Sequence, residues 1–290
     1  MDVAFIGLGA MGAPMAANLA SHHLTKVWNR TTEVAQSHQQ EHGTLAVADV
    51  VDLADVDVVC SCLPTDVEVA AVAETLAPSL APGTLWIDHT SGDPRGTRDV
   101  AAMLASYDVH YLDAPVSGGT DGAAAGTLTA MVGGEDTVVA RARPVMECVA
   151  ATIVHVGPVG AGMSVKSVSN ALLATSLWAA AEGLAALTKA GVPASTALEV
   201  INGSNSRSFA TQTLLTERAV TREFPLTFTL SLLAKDVRLA QAVLKDAGVD
   251  GPILGMVDRL TTEASETLGP NADHVELVRM VEAAAGVELR

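Results

Sequence analysis

Lys166 is the only Asp, Glu, Lys or Arg between Glu147 and Glu182, and it stands where the turn Gly157-Pro158-Val159-Gly160-Ala161-Gly162 runs into a long apolar helix. An ammonium in such a setting is costly unless it has a partner or a task. Lysines so placed serve as proton donors and acceptors, although a buried structural lysine has the same spelling. A second chemical element is Ser117-Gly118-Gly119. Successive free N–H groups in a Ser-Gly-Gly turn form a nest for a carboxylate, although a plain glycine-rich hairpin reads the same. Ser117 lies in no G-x-S-x-G elbow, so it is not read as a nucleophile. The third element is Gly7-Leu8-Gly9-Ala10-Met11-Gly12, with an apolar run before it and a helical pattern after it. That context makes a G-x-G-x-x-G turn a dinucleotide cradle. The first glycine allows the tight turn, the second lets backbone approach a pyrophosphate, and the third lets helix and strand pack closely.

These groups need a scaffold, and the periodicity supplies one. Short apolar runs at Asp2–Ile6, Lys26–Trp28, Asp57–Cys62, Thr84–Ile87, Val109–Leu112, Leu128–Val132 and Thr152–Val156 read as strands separated by helical stretches. Such alternation implies a largely parallel, doubly wound sheet with helices on both faces. Ligands of these sheets sit at the carboxyl ends of the strands. The topology therefore gathers Leu63-Pro64, Thr90-Ser91 and Ser117 on the edge that carries the glycine turn. From Lys166 onward the pattern is helical throughout, with further helices at Ala194–Ile201, Thr211–Thr221, Leu230–Ala247, Pro252–Thr267 and Val275–Ala285. The expected division is a dinucleotide-binding Rossmann domain over 1–161 and an all-helical domain over 162–290, joined by the long helix. So much Ala-rich, weakly charged helix exceeds what a small domain can bury, which favours a subunit interface.

The second strand ends in Asn29-Arg30-Thr31, where an NAD-binding domain usually carries Asp or Glu for the ribose 2′-hydroxyl. A guanidinium and a hydroxyl suit a phosphate instead, which points to NADP(H) with NAD(H) possible. A surface arginine after a strand is the plain alternative, and Glu33 partly offsets the charge.

Composition excludes several classes. The net charge of −16, with no basic run, argues against a nucleic-acid backbone as partner. Three cysteines, two of them at Cys60 and Cys62 on one strand, make no disulfide framework and fit a reducing cytoplasm. The apolar start, Val3 to Ala20, lacks a positive leader and is broken by glycines and Pro14, unlike a secretory signal. Ser167 to Leu187 is long enough to span a bilayer, but it holds Asn170, serines and Glu182 and reads as a buried helix. His38-Gln39-Gln40-Glu41-His42 spells H-x-x-E-H, yet in a polar helix of the cofactor domain and without a second ligand cluster, so no metal is expected.

Taken together, these segments resemble the β-hydroxyacid dehydrogenase family, which includes 3-hydroxyisobutyrate dehydrogenases and tartronate semialdehyde reductases. The match runs from Phe5-Ile6-Gly7-Leu8-Gly9-Ala10-Met11-Gly12-Ala13-Pro14 through Asp113–Gly119 and Gly126-Thr127-Leu128. It continues through Met131-Val132-Gly133-Gly134 and Gly160-x-Gly162-x-x-x-Lys166 to Lys235-Asp236, in the family order over nearly the whole chain. The resemblance implies an oxidoreductase interconverting a small anionic β-hydroxyacid and its semialdehyde, acting as a homodimer or homotetramer. It implies Lys166 as catalytic acid/base, with Ser117, Gly118, Gly119 and Asn170 holding the substrate. It places the cofactor on the first glycine turn, Asn29-Arg30-Thr31, Leu63-Pro64, Ser91 and Lys235. Where the family commonly has two asparagines after the lysine, this chain has Ser169-Asn170. Two rivals share the fold: an NADPH-dependent imine reductase, which generally lacks this lysine, and a non-catalytic nucleotide-binding reader.

Overall fold

The computed structural model describes all 290 residues, and the chain forms two compact units, Met1–Lys166 and Ser167–Arg290. The first unit runs β1 (Asp2–Ile6), α1 (Gly12–Ala20), β2 (Leu24–Trp28), α2 (Thr32–His42), β3 (Leu45–Ala46), β4 (Val58–Ser61) and α3 (Asp66–Leu76). It continues with β5 (Leu85–Asp88), α4 (Pro94–Ala105), β6 (His110–Asp113), β7 (Val116–Ser117), α5 (Gly119–Ala125), β8 (Leu128–Gly133), α6 (Asp136–Met146) and β9 (Ala150–Gly157). Helix α7 (Ala161–Lys189) begins in this unit and carries the chain into the second.

The strands form one nine-stranded sheet in the order β3-β2-β1-β4-β5-β6-β8-β7, with β9 paired to β8. Pairing is parallel from β3 to β6, as the βαβ alternation requires. At β8 it turns antiparallel to both β6 and β7 before β9 resumes in parallel with β8. That reversal was not expected from the pattern. The two residues of β7 are too few to show a period, and α5 returns the chain along the same edge.

Alternation in β1 shows why the sheet is covered on both faces. Val3 and Phe5 enter a core with Met15, Ala16 and Leu19 of α1. Ala4 and Ile6 enter a separate core with Leu76, Trp86 and Leu104. Each fully buried Val, Ile or Phe contributes about 1.5–3 kcal/mol, so a strand buried on both sides is anchored twice. Helix starts are marked chemically: Thr65 Oγ1 accepts from Val67 N before α3, and Asp93 caps α4, whose first residue is Pro94.

The second unit continues along α7 to α8 (Ala194–Asn202), a π-helical segment (Ala210–Ala219), α9 (Leu230–Asp246), α10 (Pro252–Leu268) and α11 (Val278–Ala285). Its core draws on Ala171, Ala174, Leu177, Ala181, Leu184 and Ala185 of α7, small side chains that let helices approach closely. Trp178 stays on this inner face because its indole N–H donates to Thr261 Oγ1 at 3.0 Å. Leu172 and Leu187 of the same helix are exposed, so only one side of α7 is buried, not the whole helix as its composition suggested.

Candidate active site

The glycine turn fits a dinucleotide on steric grounds. A Cβ on Gly7 would lie 2.4 Å from the Cys62 carbonyl, and one on Gly12 would lie 2.0 Å from the Gly7 carbonyl. A Cβ on Gly9 would meet nothing within 4 Å. The first and third glycines are thus required by the fold, while the second faces open space that a phosphate chain could occupy. Leu8 is buried and Ala10 exposed, with Met11 between them in burial. Asn29 does not present its amide outward: Oδ1 accepts from Leu8 N at 3.1 Å and Nδ2 donates to Thr31 O at 3.1 Å. It clamps the turn, and Arg30 and Thr31 are the exposed members of the triplet. The Thr31 hydroxyl makes no capping bond to α2.

The neighbouring strand ends are lashed by a buried polar network that sequence reasoning did not assign. Asp88 accepts from Ser61 Oγ at 2.8 Å, Tyr111 OH at 2.7 Å and Thr90 N at 3.1 Å. Trp86 Nε1 donates to Ser61 Oγ at 2.9 Å. Burial, reinforced by the nearby Asp88 charge, raises the Tyr111 phenol well above its ordinary value, so it remains a donor. Thr90 is itself buried and its hydroxyl accepts from Leu63 N at 3.0 Å. Thr90 therefore sets the Leu63-Pro64 loop, and Pro64 and Ser91 are the more accessible residues there. His89 is buried, donates through Nδ1 to the Ala114 carbonyl at 2.8 Å, and is kept neutral by burial, which lowers its pKa.

Asp113 ties the next two elements together. It ends β6, is fully buried, and accepts from Gly160 N at 2.8 Å and Met163 N at 2.9 Å. These are N–H groups that the first turn of α7 leaves unpaired. Burial raises the Asp113 carboxyl above its ordinary value against the pull of the two amides. The bond also corrects the sequence reading: α7 starts at Ala161, so Lys166 lies in its second turn, not at its start, and Gly162 is inside the helix. A Cβ on Gly162 would lie 2.2 Å from the Met131 carbonyl, which explains the glycine. Gly92 N approaches Met163 Sδ at 3.5 Å, bringing the segment after Ser91 to the same turn. Four residues beyond Asp113, Ser117 closes β7, and Gly118 and Gly119 follow with φ of +137° and +66°. They lead into α5, not into a hairpin. A Cβ on Gly119 would meet nothing within 4 Å, so open space lies before this turn. Lys166 is half-buried.

In the second unit, Asn170 is buried and its Nδ2 donates to Asp236 Oδ2 at 2.6 Å. Lys235 Nζ lies 3.4 Å from Asp236 Oδ1. Asn170, Lys235 and Asp236 thus form one cluster, whereas the sequence reading placed Asn170 with the substrate and the Lys235-Asp236 motif with the cofactor. An acidic residue on the apolar face of an amphipathic helix was the available signal for Asp236, as strand-terminal aspartates were for Asp88 and Asp113. His38 serves the fold: its ring nitrogens bond Thr44 Oγ1 and the Ala13 carbonyl, both at 2.9 Å.

Comparison with known proteins identifies the family and the fold. Residues 2–157 match the NAD-binding domain of 6-phosphogluconate dehydrogenase. Residues 160–281 match the NAD-binding domain of NADP-dependent 3-hydroxyisobutyrate dehydrogenase. A probable 3-hydroxyisobutyrate dehydrogenase of Mycobacterium tuberculosis is 35% identical, over 87% of this chain and 88% of its own. The 2-(hydroxymethyl)glutarate dehydrogenase of Eubacterium barkeri is 33% identical over 100% of this chain and 97% of its own. A solved M. tuberculosis 3-hydroxyisobutyrate dehydrogenase with L-serine superposes with a TM-score of 0.90 at 32% identity, covering 97% of this chain and 98% of that one. An imine reductase from Pseudomonas sp. shares the fold at a TM-score of 0.64 and 17% identity, over 96% of this chain and 98% of its own. With the glycine turn, the lysine-bearing helix and the helical second unit all in place, the chain belongs to the β-hydroxyacid dehydrogenase family.

Proposed function

We propose that this protein is an NADP(H)-preferring oxidoreductase that interconverts a small β-hydroxyacid and its semialdehyde, with Lys166 as general acid/base. One observation carries the reading. Asp113 accepts from Gly160 N and Met163 N, so the loop leading to Ser117–Gly119 and the helix start leading to Lys166 share one anchor. An anion nest and a proton donor are what a hydroxyacid needs on either side of its reacting carbon. The substrates in the relatives' names, 3-hydroxyisobutyrate and 2-(hydroxymethyl)glutarate, share a hydroxymethyl group on the carbon that bears a carboxylate. L-serine has the same unit. That unit defines the proposed substrate class.

The Gly7–Gly12 turn, Arg30, Thr31, Leu63, Pro64, Ser91 and Lys235 would hold the cofactor, with Asn29 and Thr90 setting the loops. The exposed Arg30 and Thr31 favour a 2′-phosphate, and with it NADP(H). A bound nicotinamide dinucleotide supplies the hydride acceptor or donor. Ser117, Gly118 and Gly119 bind the acid group and Asn170 the hydroxyl. In oxidation, neutral Lys166 Nζ takes the hydroxyl proton; in reduction, the ammonium returns it to the nascent alkoxide. The exposed apolar side of α7 supports assembly as a homodimer or homotetramer.

The test uses β-hydroxyacids and their aldehydes with NADP(H) and NAD(H), and cyclic imines as controls. Lys166→Ala should lower kcat by roughly 10²- to 10⁴-fold while NADPH still binds. Near-wild-type turnover by that variant would overturn the mechanism, and faster turnover of imines than of aldehydes would overturn the reaction.

A further inference from the structure

Asp236 is 2% exposed and sits on α9, whose buried face otherwise reads Leu230, Leu233, Ala234, Val237 and Ala240. A carboxylate among such neighbours forfeits its hydration and needs compensation from specific partners. Its two oxygens are divided between two. Oδ2 accepts from Asn170 Nδ2 at 2.6 Å. Oδ1, buried and outside hydrogen-bond geometry, lies 3.4 Å from Lys235 Nζ. Asn170 and Lys235 are the residues that the proposed reaction uses for substrate and cofactor respectively.

The chemistry of the pair fixes the amide. An ionised carboxylate can only accept, so the NH₂ of Asn170 must face Asp236 and its carbonyl oxygen must turn the other way. Side-chain amides are otherwise ambiguous in which end points where. A carbonyl oxygen accepts from a hydroxyl or an ammonium and repels a carboxylate. Asn170 is thereby set to receive the substrate hydroxyl and not its acid group. Lys166 stands one helical turn before Asn170 on the same face of α7, where a hydroxyl held by Asn170 would be presented to it.

We infer that Asp236 is a positioning residue with two arms: one oxygen orients the Asn170 amide for the substrate hydroxyl, and the other holds the Lys235 ammonium for the cofactor. The inference rests on the hydroxyacid dehydrogenase reading of the site. It makes one buried carboxylate responsible for two binding steps that would otherwise be independent. A carboxylate serving only the helical core would affect stability and neither step.

The experiment is a pair of double-mutant cycles on the full chain, read by KM for the hydroxyacid, kcat, and NADPH affinity from its fluorescence. Asp236→Asn should raise both the hydroxyacid KM and the NADPH Kd by about tenfold or more, as loss of a hydrogen bond to a charged group does. In an Asn170→Ala background its effect on KM should vanish while its effect on NADPH persists. In a Lys235→Ala background the reverse should hold. Effects that simply add, or a variant that melts earlier with unchanged constants, overturn the inference. If Asp236→Asn does not fold, Asp236→Glu runs the same cycles with the charge kept but displaced, and the same split is required. A wild type that turns over no member of the substrate panel overturns the reaction assignment instead, and the NADPH cycle with Lys235→Ala still decides the positioning role.

Discussion

Two aspartates, one in each unit, are fully buried and hold backbone amides, yet their surroundings differ. Asp113 takes the N–H groups of Gly160 and Met163, and burial raises its pKa. Asp273 accepts from Thr227 N at 2.9 Å, Phe228 N at 3.2 Å and Val275 N at 3.0 Å, closing a capping box with Glu276. His274 Nδ1 lies 3.1 Å from the carboxylate, and the Arg218 guanidinium, 3.7 Å away at Nη1, adds a positive charge. Burial opposes ionisation of Asp273 too, but the His274 contact and the backbone amides overcome it and hold the carboxyl well below its ordinary value. The difference separates a staple from a placement device. In the helical unit the charge is matched and the aspartate stabilises. At the sheet edge a less favoured carboxylate caps the first turn of α7, the turn that precedes Lys166.

The comparison breaks most visibly at Asp273. Asp273→Asn should cost about 3–5 kcal/mol by leaving the Arg218 charge without its buried counter-ion, measured by urea unfolding. The folded enzyme should keep its kcat/KM; a fall in kcat/KM without loss of stability would erase the distinction. Asp113→Asn should do the converse. It should cost about 1–3 kcal/mol for one badly met amide but lower kcat about ten- to a hundredfold through misplacement of the lysine turn. Equal losses of stability with unchanged turnover would show that Asp113 is also only a staple.

Acid sharpens the contrast by sign. The folded pKa of Asp273 lies below the unfolded 3.8, so its stabilisation is whole above that pH and is lost as pH falls through the folded value. For Asp113 the folded pKa is raised, so its contribution declines as pH rises through that value. The smallest effect belongs to His89, held neutral by burial with a pKa below 6.5. Its share of stability is complete above about pH 6.5 and diminishes as pH falls toward the folded pKa. Melting temperature followed from pH 7 to 5 should therefore fall, and His89→Gln should flatten that slope. An unaltered slope would remove His89 from the account.

Much of this was legible in the chain itself. The Gly7–Gly12 spacing, the alternation of apolar runs and helices, and the isolation of Lys166 are local patterns, and short-range sterics make them readable. Less legible were the two-residue strand β7, too short to show a period, and the start of α7, where Gly160 and Gly162 imitate a turn. Polar partnerships were hidden for a different reason. Asn29 looks like a cofactor ligand until its amide is seen clamping Leu8, and Thr90 looks like another until its hydroxyl is seen holding Leu63.

By itself the sequence determined the sheet-then-helix order, the glycine cradle and the pairing of Lys166 with Asn170 one helical turn on. Those depend on residues within a few positions of one another, where backbone geometry leaves little choice. Only the tertiary structure decided that Asp113 caps α7 from 47 residues away and that Asp236 orients Asn170 across 66. A buried carboxylate must take whatever donors the fold brings to it, and no local period encodes which donors those are.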